Sequence, residues 1–178
     1  MNCMQIDRAS ISNGTGVRVV LWCAGCTQKC HGCFNPETWD FNAGQPFDKN
    51  AKDYLFEKLS KPYIQGITFS GGHPLEPQNV KDVYNLIVDI KSQFPEKDIW
   101  LYTGYELTIN NFTIVYKGLD NQSMHHNYMT MILTSCAVVV DGPYIEDQRD
   151  LTLAFRGSKN QRLIDVKESL KQNKIVTR

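Results

Sequence analysis

The sequence predicts an α/β fold in which strands and helices alternate to build a parallel sheet, and three observations carry that expectation. Short β-branched, apolar runs recur along the chain. Stretches of helical periodicity separate them. The runs end in glycine or small polar residues, at Gly71-Gly72, Thr103-Gly104 and Asp141-Gly142. In parallel sheets ligands gather beyond the carboxyl ends of the strands, so a site is expected at these endings.

Taken in order, Asn13-Gly14-Thr15-Gly16 suits a tight turn, and residues 17–22, apolar apart from Arg18, form the first expected strand. Gly14-x-Gly16 reads as that turn and not as a phosphate loop, because it precedes a strand and lacks the Lys-Ser/Thr ending. A cysteine-bearing loop follows, and residues 50–59 then show a helical face of Tyr54, Leu55, Phe56 and Leu59. Residues 66–70 form a second strand. Residues 79–94 form a helix with Val83, Leu86, Ile87 and Ile90 on one face, closed by Pro95. Third and fourth strands are expected at 98–102 and 137–140. Between them, Asn110-Asn111, Gly118 and Asp120-Asn121 break the pattern before a helix near 124–133. Residues 162–166 suit a late strand, with a short helix or tail after Glu168.

A chain of 178 residues buries roughly 70% of its unfolded surface around one core, and residues 1–178 are read as a single domain. With 19 basic against 19 acidic residues, no net field favours nucleic acid or an anionic membrane as partner. The start, Met1-Asn-Cys-Met-Gln-Ile-Asp-Arg, lacks a secretory pattern and no apolar segment reaches spanning length, so a cytoplasmic location is expected. In that reducing compartment the 6 cysteines are metal ligands or buried thiols sooner than disulfides.

Cys23, Cys26, Cys30 and Cys33 crowd into one loop, whereas Cys3 and Cys136 stand apart. Zinc is disfavoured by spacing, because paired knuckles are usually separated by about a dozen residues so that two hairpins can face each other. The ferredoxin run has a different order with four ligands. Cys26-x3-Cys30-x2-Cys33 instead suits an iron–sulfur cluster held by three thiolates, leaving one iron open to a ligand. Strand alternation from Val17 turns Cys23 into the core, and Cys3 and Cys136 carry the same reading. His31 reads either as a solvated side chain or as a hydrogen-bond donor to a cluster sulfur, and the pair His125-His126 as solvated side chains sooner than ligands.

The three-cysteine spacing after a first strand resembles the cluster motif of the radical S-adenosylmethionine enzymes. Further motifs follow in order: Asn13-Gly14-x-Gly16-x-Arg18, Cys33-Phe34-Asn35-x-x-Thr38-Trp39, Ser70-Gly71-Gly72-x-Pro74-Leu75, Asp98-Ile99-Trp100-x-Tyr102-Thr103-Gly104-Tyr105, Asp141-Gly142 and Arg156-Gly157-Ser158-x-Asn160-Gln161. Together, over residues 1–161 and on toward the carboxyl end, they are similar to the activating proteins of anaerobic ribonucleoside-triphosphate reductases.

That resemblance implies an open, incomplete (β/α) barrel. It implies a 4Fe-4S cluster on Cys26, Cys30 and Cys33, and S-adenosylmethionine bound beside Gly32, Cys33, Phe34, Ser70, Gly71, Gly72 and Thr103. The implied chemistry is reductive cleavage of that cofactor to a 5′-deoxyadenosyl radical, which takes hydrogen from a glycine of the partner, the large subunit of the reductase. No side-chain acid or base is required, and the electron comes from a low-potential donor such as flavodoxin. The alternatives are an activase of another glycyl-radical enzyme, of the formate-lyase type, and a noncatalytic metal-binding or electron-transfer module. Absence of an inserted ferredoxin-like cysteine set favours the reductase.

The chain departs from the family pattern at His73, where an acid is usual, and at Gly32, where many radical enzymes place an aromatic; here Phe34 follows the third cysteine instead. Gly71 and Gly72 are expected to let backbone approach the cofactor. Arg156 and Asn160 read either as shaping the partner or cofactor surface or as a basic tail.

Overall fold

The computed structural model describes residues 1–110, 113–116 and 124–178. Asn111, Gly118, Asp120 and Asn121, expected to break the pattern, lie outside the described residues. In chain order the elements are β1 (Asn2–Ser10), β2 (Val17–Cys23), β3 (Gln45–Pro46), α1 (Lys49–Leu59), β4 (Ile64–Gly71), α2 (Val80–Gln93) and β5 (Asp98–Tyr102). There follow β6 (Leu107–Asn110), β7 (Thr113–Tyr116), α3 (Met124–Ser135), β8 (Val138–Asp141), β9 (Arg162–Asp165) and α4 (Val166–Gln172).

A seven-stranded sheet runs β3-β1-β2-β4-β5-β8-β9, and β6 pairs with β7 in a separate hairpin. The expected strands are present, and β2, β4, β5 and β8 pair in parallel. The expectation of a wholly parallel sheet is corrected at the edges, where β1 runs antiparallel to β2 and β9 antiparallel to β8. The connection explains the first case. Residues 11–16 are too few for a crossover, and Gly14 and Gly16, with φ of 135° and 73°, turn the chain straight back. The sheet ends at β3 and β9 and does not close into a barrel.

The parallel strands succeed one another in sequence order, each laid beside the last. Alternation along them separates two faces. Val19, Leu21, Cys23, Ile67, Phe69, Ile99, Leu101, Val139 and Ile164 form one core with Leu55 and Leu59 of α1, Ile87 and Ile90 of α2, Ile132 and Leu133 of α3, and Val166 of α4. All four helices therefore pack on one side. The other face carries Trp100, Val138 and Val140, covered by Phe155 with its ring 5.4 Å from Trp100. No helix among the described residues is long and apolar enough to cross a membrane.

Arg18, the one charge in the first apolar run, lies fully buried on that second face. Its guanidinium donates to Thr68 Oγ1 (2.8 Å), Thr15 O (3.1 Å) and Ile67 O (2.9 Å), and pairs with Asp98 Oδ1 at 2.5 Å. It also lies 5.3 Å from the centre of the Trp100 ring, so a single side chain ties β2, β4 and β5 together. Removing one partner of a buried, hydrogen-bonded pair costs about 3–5 kcal/mol. Arg18→Ala is expected near the lower end, about 3 kcal/mol, because Asp98 keeps 27% exposure and its charge stays partly hydrated. Urea unfolding measures this as a lower midpoint at unchanged slope.

Candidate metal centre

The cysteine loop leaves the carboxyl end of β2 and is gripped at its root by the turn after β4. Gly72 N–H donates to Cys23 O (2.7 Å), His73 N–H to Gly25 O (2.8 Å), and Asn79 Nδ2 to Ala24 O (2.8 Å). From the other side, Gly25 N–H donates to Thr38 O (2.7 Å) and Cys26 N–H to Trp39 O (3.1 Å). Such close approach of main chains demands glycine. Gly25 and Gly71 hold φ of 92° and 101°, and a Cβ on Gly72 would lie 2.5 Å from Gly25 O and 2.8 Å from Thr38 O. Sequence reading gave the Gly71-Gly72 pair to a ligand; the backbone packed against it here is that of the cysteine loop itself.

Cys26, Cys30 and Cys33 are free thiols, each half-buried. Positive φ at Lys29 (43°) and Gly32 (72°) curls the chain between them, and Cys33 N–H closes a turn on Cys30 O at 3.1 Å. Burial pushes the Cys26 thiol up, amide donors at Gln28 and Lys29 pull it back toward the thiolate, and the Glu76 charge pushes it up again. Among the described residues, no three Cys, His, Asp or Glu side chains converge at single-ion distance. A cluster does not ask for such convergence, since each thiolate takes a different iron. Three free, soft donors on one curled loop fit a 4Fe-4S cluster.

Cys23 is different. It is fully buried on the helix-side face, opposite Cys3 of β1, and burial pushes its thiol up to about 12, so it stays protonated at neutral pH. Cys136 is likewise pushed up to about 12 and donates to Ile132 O at 3.3 Å.

Gly32 owes its identity to its backbone, whose φ of 72° is one that a side-chain-bearing residue rarely adopts. A Cβ there would also meet the Glu146 carboxylate, which Tyr144 Oη holds at 2.6 Å, so an aromatic at this position would be strained and would displace Glu146. Phe34 is 83% exposed beside Cys33. A cavity of about 560 Å³ adjoins Cys26, lined by Thr27, Lys29, Pro36, Glu37, Trp39, Asp40 and Phe41.

Beneath the loop lies a polar network that sequence reading missed. Glu76, 2% exposed, accepts at Oε1 from Thr27 N–H (2.8 Å), Thr27 Oγ1 (2.7 Å) and His73 Nδ1 (3.2 Å). His73 Nε2 lies 2.7 Å from Thr103 Oγ1, which also accepts from Tyr105 N–H at 3.1 Å. The Tyr105 ring stands edge-on to His73 at 4.4 Å. Burial pushes Glu76 up, but the hydrogen bonds from His73 and Thr27 outweigh it and hold the carboxyl below its usual range. Thr103, expected to face a cofactor, is 4% exposed with its hydroxyl engaged by His73. Ser70 is 9% exposed at the end of β4. The only local signal for the network was the three-residue spacing of His73 and Glu76 just ahead of α2.

The family model for a 4Fe-4S single cluster domain matches residues 12–164. The chain is 39% identical over 163 residues to the anaerobic ribonucleoside-triphosphate reductase-activating protein of Escherichia coli, covering 90% of this chain and 96% of the relative. The chain belongs to the anaerobic ribonucleoside-triphosphate reductase-activating protein family. The activating protein of Enterobacteria phage T4 is 41% identical, covering 92% and 93% of the two chains, and that of Haemophilus influenzae 37%, covering 90% and 96%. The resemblance read from the ordered motifs is thus borne out.

Other expectations resolve differently in this member of the activating-protein family. His125 and His126 are not solvated: His126 is 8% exposed in α3, and His125 Nε2 lies 2.9 Å from Leu75 O, reaching the turn that grips the loop. Nor do residues 156–161 form a tail. Gln161 Oε1 accepts from Gly157 N–H (2.9 Å) and Ser158 N–H (3.2 Å) while its Nε2 donates to Gly142 O (3.2 Å), and Asn160 Nδ2 donates to Pro143 O (2.7 Å). The motif knits the β8–β9 connection at the carboxyl end of β8.

Proposed function

We propose that this chain activates an anaerobic ribonucleoside-triphosphate reductase. In that reading Cys26, Cys30 and Cys33 hold a 4Fe-4S cluster, and S-adenosylmethionine binds against Gly32, Cys33, Phe34, Ser70, Gly71, Gly72 and Thr103. The observation that carries it is the set of three free, half-buried thiols curled on one loop at the carboxyl ends of the parallel strands, in a chain of this family. When bound, cluster and cofactor supply a 5′-deoxyadenosyl radical by one-electron reductive cleavage, and this radical takes hydrogen from a glycine of the reductase.

The chain's own residues have the remaining tasks. Gly25, Gly71 and Gly72 let main chains meet so that Cys26 is fixed relative to the end of β4. Main-chain carbonyls at residues 70–72 are the acceptors for the cofactor's ammonium. His73 is not that acceptor, because both ring nitrogens already have partners in Glu76 and Thr103. The single-domain fold is read as an incomplete (β/α) barrel of the radical S-adenosylmethionine type. Strands added in sequence order with all helices on one face support this, since a doubly wound sheet puts helices on both faces. An unclosed sheet leaves room for a glycine loop of the large subunit. The electron donor is a low-potential protein such as flavodoxin, and the compartment the cytoplasm.

The test is anaerobic reconstitution with iron and sulfide, then S-adenosylmethionine and reductant, with and without the reductase. The expected result is 5′-deoxyadenosine plus a reductase-dependent glycyl radical in the paramagnetic resonance spectrum. Cluster-loaded protein that yields no 5′-deoxyadenosine would overturn the reading.

A further inference from the structure

Glu76 and Glu146 both adjoin the cysteine loop, yet they differ in kind. The Glu146 side chain is 36% exposed, so water and salt screen its charge, whereas that of Glu76 is 2% exposed. Thr27, which follows Cys26 directly, gives Glu76 Oε1 both its amide and its hydroxyl proton, so the carboxylate is fixed one residue from a thiol proposed as an iron ligand. Thr103 Oγ1 accepts from Tyr105 N–H and lies 2.7 Å from His73 Nε2, while His73 Nδ1 lies 3.2 Å from Glu76 Oε1. Against the push of burial, the hydrogen bonds from His73 and Thr27 hold the Glu76 carboxyl below its usual range, so Glu76 carries its charge. Among the described residues, no Lys or Arg forms an ion pair with Glu76.

We propose that Glu76 is a positioning residue that, through Thr27, fixes Cys26 and places a buried negative charge beside the cluster, lowering its reduction potential. Adding an electron to a centre next to an unscreened anion is disfavoured, and cluster potentials follow local charge, hydrogen bonding and exposure. A low potential gives the reduced centre its driving force for breaking the sulfonium carbon–sulfur bond; the electron itself comes from the external reductant. The inference rests on the proposed cluster reading, and its test separates the two.

Wild type, Glu76→Gln, Glu76→Ala, Glu76→Asp and Glu146→Gln, each as the full chain, are reconstituted anaerobically. Iron and sulfide are counted, and the cluster is titrated with dithionite against redox mediators, with the reduced signal read by paramagnetic resonance. Glu76→Gln keeps an acceptor for Thr27 and removes only the charge. Its midpoint is expected to move to a more positive potential: where about a tenth of the wild-type cluster is reduced, roughly threefold more of the variant should be. Glu76→Asp restores the wild-type direction, and Glu146→Gln shifts far less. Hydrogen exchange at the Thr27 amide in the metal-free chain should stay slow in Glu76→Gln and become fast in Glu76→Ala. A loaded Glu76→Gln that titrates with wild type, or a Glu146→Gln shift as large, overturns the inference alone. Failure of both charge-free variants to take up a cluster also overturns it, marking Glu76 as a residue for loop folding. A wild-type chain that binds no cluster overturns the reading beneath it.

Discussion

Replacing Cys26, Cys30 or Cys33 singly by alanine is expected to abolish stable cluster uptake and to cut 5′-deoxyadenosine formation by well over the ~100-fold that losing an outer-shell partner of a metal site brings. In the proposed cluster each thiolate would take a separate iron, so none could substitute for another. Cys23, three residues from Cys26, is no substitute, because it faces the helix-side core with its thiol pushed up to about 12. Cys23→Ala is therefore expected to retain full iron and sulfide, losing only packing, about 1 kcal/mol of stability. Iron and sulfide assays beside product measurement decide the matter. A Cys23 variant without cluster, or a Cys30 variant with one, would reverse the ligand assignment.

Gly71→Ala should be the most damaging change away from the thiols. Its φ of 101° is one that a side-chain-bearing residue rarely adopts, and a Cβ would sit 2.6 Å from both the amide nitrogen and the carbonyl oxygen of Cys23. Those are main-chain atoms of the neighbouring strand, unable to swing aside as a side chain would. Backbone strain of about 1–3 kcal/mol and overlap of similar size give an expected loss of about 3 kcal/mol or more. The strand that must shift leads straight into the cysteine loop, so cluster content should fall with stability. Gly104→Ala is the matched comparison. Its Cβ would meet the side chain of Gln28 at 3.0 Å, and a change within about 0.5 kcal/mol is expected. Equal losses in the two variants would show that the Gly71 contact with Cys23 is not what matters.

The parallel centre of the sheet was legible because β2, β4, β5 and β8 are buried and say so in runs of Val, Ile, Leu and Phe. The edges were not. β1 mixes Asn2, Gln5, Asp7 and Arg8 with apolar residues because much of it faces solvent, and the β6–β7 hairpin is built from strands of 4 residues each, too short to show a period. The thiols could be read because their spacing is local. The Glu76–Thr27 contact spans 49 residues and Arg18–Asp98 spans 80, distances over which neither periodicity nor spacing speaks. Arg18 looked like an interruption in a strand and is instead the buried tie among three of them.

The grip on the cysteine loop is one-sided. Cross-chain bonds fix residues 23–27 and the returning Thr38 and Trp39, while Cys30 and Cys33 are joined by a turn of the loop's own making. In the proposed cluster Cys26 would be the ligand on the fixed side of the loop, and Cys30 and Cys33 the two on the side held by its own turn. Cys26, Cys30 and Cys33 lie outside the buried core, so replacing any one of them is expected to empty the centre without unfolding the scaffold, unlike in zinc fingers, whose folding is their metal binding.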